Sequence, residues 1–183
     1  GIVGGSKAEP RKVQCGAVQE DNVMAEINIH PASTSHDFVN NIVTVLDALT
    51  TIIKPHGLKY KIKDFETFHP KFLESPDAMK FGCDPDYNIY TLRQNRVRSK
   101  HLMDTFSRTA GGHIHIGGGG MLYVPKMRPL VVKLCDIYIG LPLVLLENGS
   151  KRRAFYGKAG SFREKEYGIE YRTPSNIWIT DER

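Results

Sequence analysis

The chain has 183 residues, 40% hydrophobic and 25% charged, which is enough for one globular domain with a genuine core and cramped for two. Its net charge of +5 and isoelectric point near 9.1 come from Lys and Arg spread along the chain rather than gathered in one arm, which disfavours a nucleic-acid partner. Cys15, Cys83 and Cys135 form no CxxC pair and no disulfide framework, as suits a reducing cytoplasm, and the apolar stretch LVVKLCDIYIGLPLVLL carries a Lys and an Asp and falls short of the roughly 20 residues of a membrane span, so a soluble protein with no membrane partner is expected.

The opening GIVGGSKAEPRKV, with Lys7 inside it, reads as a glycine-rich loop. GAVQEDNVMAEINIHPA then alternates, with Val23, Ala25, Ile27 and Ile29 on one face and Asn22, Met24, Glu26, Asn28 and His30 on the other, as a strand with one buried side requires. STSHDFVNNIVTVLDALTTIIKPHG begins on Ser and Thr capping candidates, repeats apolar residues at Phe38, Ile42, Val45, Leu49 and Ile52, and stops at Pro55 and Gly57; it predicts a helix. LKYKIK returns to period two as a predicted strand, and the Pro- and Asp-rich segment after it, FGCDPDYN included, reads as loop and turn. Residues 109–117 have the composition of a strand with glycines at its rim, and residues 128–147 read as a mostly apolar helix that ends near GLP. The final third is a basic loop followed by the strand YGIEYRT. Interspersed helices and strands with one polar sheet face predict an α+β fold, an antiparallel sheet with helices packed on its other face, in a single domain over residues 1–183.

Four groups of residues carry chemistry. His113 and His115, two apart on a strand, point to the same side about 7 Å apart by rise, while Ile114 and Ile116 face the core. Flanking glycines let backbone approach a ligand closely, but an HxH pair alone does not name its metal. Glu170 and Arg172 share a face of YGIEYRT, which in isolation is no more than a surface ion pair worth about 0 to 1 kcal/mol. Lys151, Arg152, Arg153, Lys158 and Arg163 are interleaved with glycines and aromatics. Such a run is usually solvated, and it is also how guanidinium forks clamp phosphoryl oxygens. Asp21 and Glu26, on or beside the first strand, either face solvent or hold a hard divalent cation. Carboxylates, histidines and arginines from separate strands of one sheet are together what magnesium-dependent phosphoryl chemistry needs.

VQEDNVMAEINIHPA, GCDPDYN, TAGGHIHIG and RRAFYGKAGSFREKEYGIEYRTPSN, in this order, resemble the carboxylate-amine ligases (amidoligases) of phages, distant members of the glutamine synthetase and glutamate-cysteine ligase superfamily. The resemblance spans nearly the whole chain. It implies a glutamine synthetase-like catalytic domain whose antiparallel sheet is the catalytic floor, where ATP phosphorylates a carboxylate and an amine displaces the phosphate to give an amide. It implies metal binding by His113, Glu170, Asp21 and Glu26, with Glu20 beside them. His115 is then a phosphate contact, Arg153 and Arg163 are phosphate clamps with either Arg152 or Arg153 turned inward, and Arg172 acts on the substrate or the transferred phosphoryl group. Lys158, in the same basic loop, joins His115, Arg153 and Arg163 as a nucleotide-binding candidate.

The cofactors so implied are ATP and magnesium, with manganese able to stand in. The partners are a small-molecule or peptide carboxylate and an amine, a phage or host protein among the candidates, in the cytoplasm of an infected bacterium or on the virion. Glycine-rich residues 1–5 and 117–120 are candidate covers for a water-sensitive acyl phosphate. Relatives open on a strand carrying DPE, which this sequence lacks; a trimmed chain and a weakened metal site both fit that departure. A second class is a phage binding or structural protein that keeps the ligase fold without turnover. A zinc hydrolase built on the histidine pair is disfavoured, because its arginine-rich loop would have no task.

Overall fold

The alternating stretch from Gly16 to Ile29 folds back on itself instead of running as one strand. The computed structural model describes residues 1–75, 78, 86–95, 106–147 and 149–179. In it, β2 (Gly16–Asp21) and β3 (Met24–Ile29) form a hairpin, with Asn22 in the left-handed region at φ 57° in the two-residue turn. Asp21 opposes Met24 and Gln19 opposes Glu26, so Asp21 and Glu26 lie on the same face of this hairpin. A short β1 (Arg11–Val13) pairs with β2 to complete a three-stranded antiparallel sheet.

The chain divides into two compact units, Gly1–Lys61 with Pro70–Lys80 and Ile62–His69 with Phe81–Arg183. In the first, α1 (Ser35–Ile53) packs Val45, Leu49 and Ile53 against Val18, Val13, Ile27 and Ile29. Its start and stop follow the sequence. The Thr34 hydroxyl accepts the Asp37 amide at 3.1 Å, and the helix passes through a single 3₁₀ turn to Gly57 at φ 70°. LKYKIK forms no strand; Leu58 and Tyr60 stay exposed, and the next strand begins at Phe65.

In the second unit β4 (Phe65–Thr67) pairs with β7 (Ser107–Thr109). A separate five-stranded antiparallel sheet runs in the order β6 (Arg93–Gln94), β5 (Tyr87–Asn88), β9 (Ser161–Lys165), β10 (Gly168–Tyr171), β8 (Ile114–Gly117). Phe162, Ile169 and Tyr171 turn to one side of it and form a core with Ile89, Leu122, Val132 and Cys135. Antiparallel sheets with a helix on the apolar face are thus present in each unit, in agreement with an α+β fold. The expectation of one common sheet is corrected: Glu26 stands on the three-stranded sheet, and His115 and Glu170 on the five-stranded one. Sequence alternation marks a buried face but carries no information on which strands pair.

The apolar helix fills the expected span of residues 128–147 to within a residue, and it does not stop at GLP. It continues from α2 (Arg128–Cys135) through a π turn at Asp136–Gly140 into α3 (Leu141–Leu146). Pro142 has no N–H to give, and the wider turn, in which the Leu141 amide reaches the Asp136 carbonyl, carries the helix past it. The Tyr171 hydroxyl donates to Asp136 Oδ1 at 2.6 Å, and a Cβ at position 140 would stand 2.4 Å from that hydroxyl, so glycine is required there. With the turn preceding it, the helix runs over Pro125–Leu146, 22 residues with a mean hydropathy of 1.9 in its most apolar window. By length and composition it meets the requirement for a span, which corrects the sequence expectation that no segment would. Val132 and Cys135 nevertheless lie in the core.

Candidate functional site

Strand pairing builds the site. Glu170 opposes His115 on one side and Arg163 on the other, and Gly168 opposes Gly117 and Lys165, so these side chains share the face of the sheet opposite the apolar core. His113 precedes β8 by one residue and Arg172 follows β10 by one.

Glu170 is the hub and is buried, 4% exposed. Its Oε1 accepts from Arg172 and lies 3.3 Å from His113 Nδ1 and 3.6 Å from Arg163; its Oε2 lies 3.2 Å from Lys165 Nζ. Arg172 also donates through Nε to Asp86 Oδ2 at 3.3 Å and meets His113 Nδ1 at 3.1 Å. Burial alone would raise the Glu170 pKa, but the His113 hydrogen bond and the Arg172 charge override it and hold the carboxyl far below the usual range. The ring of His113 goes the other way. Burial pushes it down to about 4, against the pull of Glu170, so it is a neutral imidazole near pH 7. Desolvation lowers His115 as well, and its Nδ1 meets the Tyr167 hydroxyl.

The basic loop splits its tasks. Arg152 is almost fully buried and donates to the carbonyls of Thr173 at 3.1 Å and Arg172 at 3.4 Å, propping the end of β10. Burial brings its guanidinium down to about 10. Arg153 turns to Glu147 and to the Gly157 carbonyl, and one of its terminal nitrogens is buried without a hydrogen bond. Of the two, Arg152 is therefore the inward one. Lys158 is exposed, and its carbonyl accepts the Thr173 hydroxyl.

The structure thus brings together His113, His115, Arg163, Glu170 and Arg172. Asp21 and Glu26 stand in the first unit, where Glu26 accepts from Gln19 at 2.9 Å. Glu20, on the opposite face of that hairpin, accepts the amides of Val3 at 3.0 Å and Gly4 at 3.3 Å, tying down the glycine-rich opening segment. Of GCDPDYN, residues 82–85 lie outside the described residues, as does Cys83. Sequence reasoning missed Lys165, Asp86 and Tyr167. Lys165 was within its reach, because it lies two residues after Arg163 on one strand and must share its face.

Residues 100–183 match the family model described as phage phiEco32-like COOH.NH2 ligase-type 2. No curated protein and no solved structure matches the chain. The matched segment carries the buried glutamate, both histidines and the arginines around them, and over that segment the chain is similar to the phage phiEco32-like COOH.NH2 ligase-type 2 family.

Proposed function

We propose that the protein joins a carboxylate to an amine at the expense of ATP, through an acyl phosphate and with magnesium. The observation that carries this reading is a single ionised, buried carboxylate surrounded by Arg163, Lys165 and Arg172 beside a neutral histidine. Guanidinium forks of this kind hold phosphoryl oxygens with defined geometry.

His113 and Glu170 supply a nitrogen and an oxygen donor. Among the described residues no group of three His, Cys, Asp or Glu is placed to hold a metal. Of that pair the carboxylate suits magnesium, which is commonly held by one or two carboxylates with substrate phosphates completing the shell, while the imidazole is the less usual ligand for it. His113 and Glu170 would hold it; when bound, it would neutralise charge on the transferring phosphoryl group. Arg163, Lys165 and Arg172 would orient the γ-phosphate, and His115 would contact its oxygens. Arg153 and Lys158 remain proposed nucleotide contacts. The substrates are a small or peptide carboxylate and an amine, or a phage or host protein, in the cytoplasm of an infected cell or on the virion.

The test is ADP release by the full-length protein with magnesium and a mixed pool of carboxylates and amines. Release that requires both partners supports the reading; nucleotide binding without release in any pool favours a phage protein that keeps the fold without turnover. The absence of a three-donor cage among the described residues is the observation on the side of that second reading.

A further inference from the structure

Tyr167 lies in the turn between β9 and β10, outside every role assigned above. Its hydroxyl meets Nδ1 of His115, its ring centroid is 6.0 Å from the imidazole, and the two planes are tilted by 31°. Room for the ring is made by the opposing strand. A Cβ at position 117 would fall 2.9 Å from Tyr167 Cδ2 and 2.7 Å from its carbonyl oxygen, so the ring lies where only glycine leaves space. The same face of the sheet holds Glu170, Arg163 and Lys165.

We propose that Tyr167 is a positioning residue, donating its hydroxyl proton to His115 Nδ1 so that the imidazole keeps its own proton on Nε2 and offers a neutral N–H to an oxyanion. The inference rests on the ligase reading for the oxyanion, a phosphate, and on geometry alone for the tautomer. A neutral imidazole has one donor and one acceptor nitrogen, and the partner of one decides the state of the other. A phenol is a strong donor. Burial and the Glu170 charge both raise the Tyr167 pKa, which keeps that proton in place. Arg163, Lys165 and Arg172 attract an anion by charge, and a fixed Nε2–H adds direction without adding charge.

The experiment uses the full chain with ring-15N-labelled histidine. Long-range proton–nitrogen correlation at pH 7.5 reads the tautomer, and His115→Gln assigns the resonances. Wild type should show His115 as one tautomer, with the proton on Nε2. Tyr167→Phe, which keeps the ring and loses the hydroxyl, should show both tautomers. Gly117→Ala keeps the hydroxyl and displaces the ring, and it should do the same; far-UV circular dichroism checks that each variant is folded. Calorimetry with magnesium tripolyphosphate should show affinity falling about 3- to 10-fold in both variants, the worth of one hydrogen bond. A wild-type His115 protonated on Nδ1, or a folded Tyr167→Phe that keeps the single tautomer, would overturn the proposal. A tautomer change without tripolyphosphate binding in wild type would overturn the ligase reading and the oxyanion role with it, while the tautomer assignment stood.

Discussion

Glu170 concentrates the chemistry of the second unit in one carboxylate, and its replacement by Gln should be felt twice. ADP release should fall about 10²- to 10³-fold, the usual loss when one preorganised electrostatic contact is removed. Stability should fall too, because Arg163, Lys165 and Arg172 would be left facing one another around a neutral amide. Breaking a buried ion pair from one side costs about 3 to 5 kcal/mol, so a lowered melting temperature is expected alongside the lost activity. His113 makes the site acid-sensitive. Its pKa is about 4 in the folded chain against an ordinary 6.5, so its contribution is complete above 6.5 and is lost as the pH falls from there toward 4. The loss amounts to about 3 kcal/mol. Glu170, with its carboxyl held below the usual range, loses its own contribution only at lower pH. Melting temperatures between pH 7.5 and 4 should show this decline in wild type, and His113→Gln should flatten it.

The two helices depend on different devices. In α1 a side-chain cap and an apolar stripe act together: Thr34→Ala should cost about 1 kcal/mol and Val45→Ala about 2 to 3, by removal of a cap and of a fully buried branched side chain. Thermal melts followed by far-UV circular dichroism would read both. The helix of residues 125–146 instead has a polar clasp inside it. Asp136 sits in its π turn and accepts the Tyr171 hydroxyl at 2.6 Å, with the Thr173 hydroxyl at 3.5 Å. Tyr171 lies between Glu170 and Arg172, so this clasp seats the end of β10 and the residue that follows it. Tyr171→Phe should lower stability by about 1 to 3 kcal/mol, the cost of leaving a buried carboxylate oxygen without its donor. An intact Tm in that variant would show that the clasp does not hold β10.

At the scale of the whole molecule, a ligand that binds only the folded protein stabilises it by mass action. ATP with magnesium should therefore raise the melting temperature of the full chain in a concentration-dependent way, approaching about 2.7 kcal/mol at one hundred times the dissociation constant. Scanning fluorimetry with Trp178, whose indole donates to the Gly112 carbonyl at 3.1 Å in the second unit, would follow it. Nucleotide that left the melting temperature unchanged at saturating concentration would count against the ligase reading. The net charge of +5 is spent in part inside the fold, since Arg108, Arg128, Arg152 and Arg172 are all buried.

Elements whose signal is local were legible in the amino-acid sequence. The α1 cap and its termination at Pro55 and Gly57, and the polar and apolar faces of YGIEYRT, could be read because a period of 3.6 or 2 residues and the chemistry of a cap are properties of short segments. The motifs around His113 and Glu170 were legible for the same reason, as was the resemblance they carry. Folding added that Gly16–Ile29 is a hairpin on its own sheet, that LKYKIK forms no strand, that the helix passes Pro142 by a π turn, and that Arg152 rather than Arg153 faces inward. It also decided that Lys165, Asp86 and Tyr167 join the site. Each of these turns on which segment lies beside which, a matter of long-range pairing and burial that periodicity within one segment does not encode.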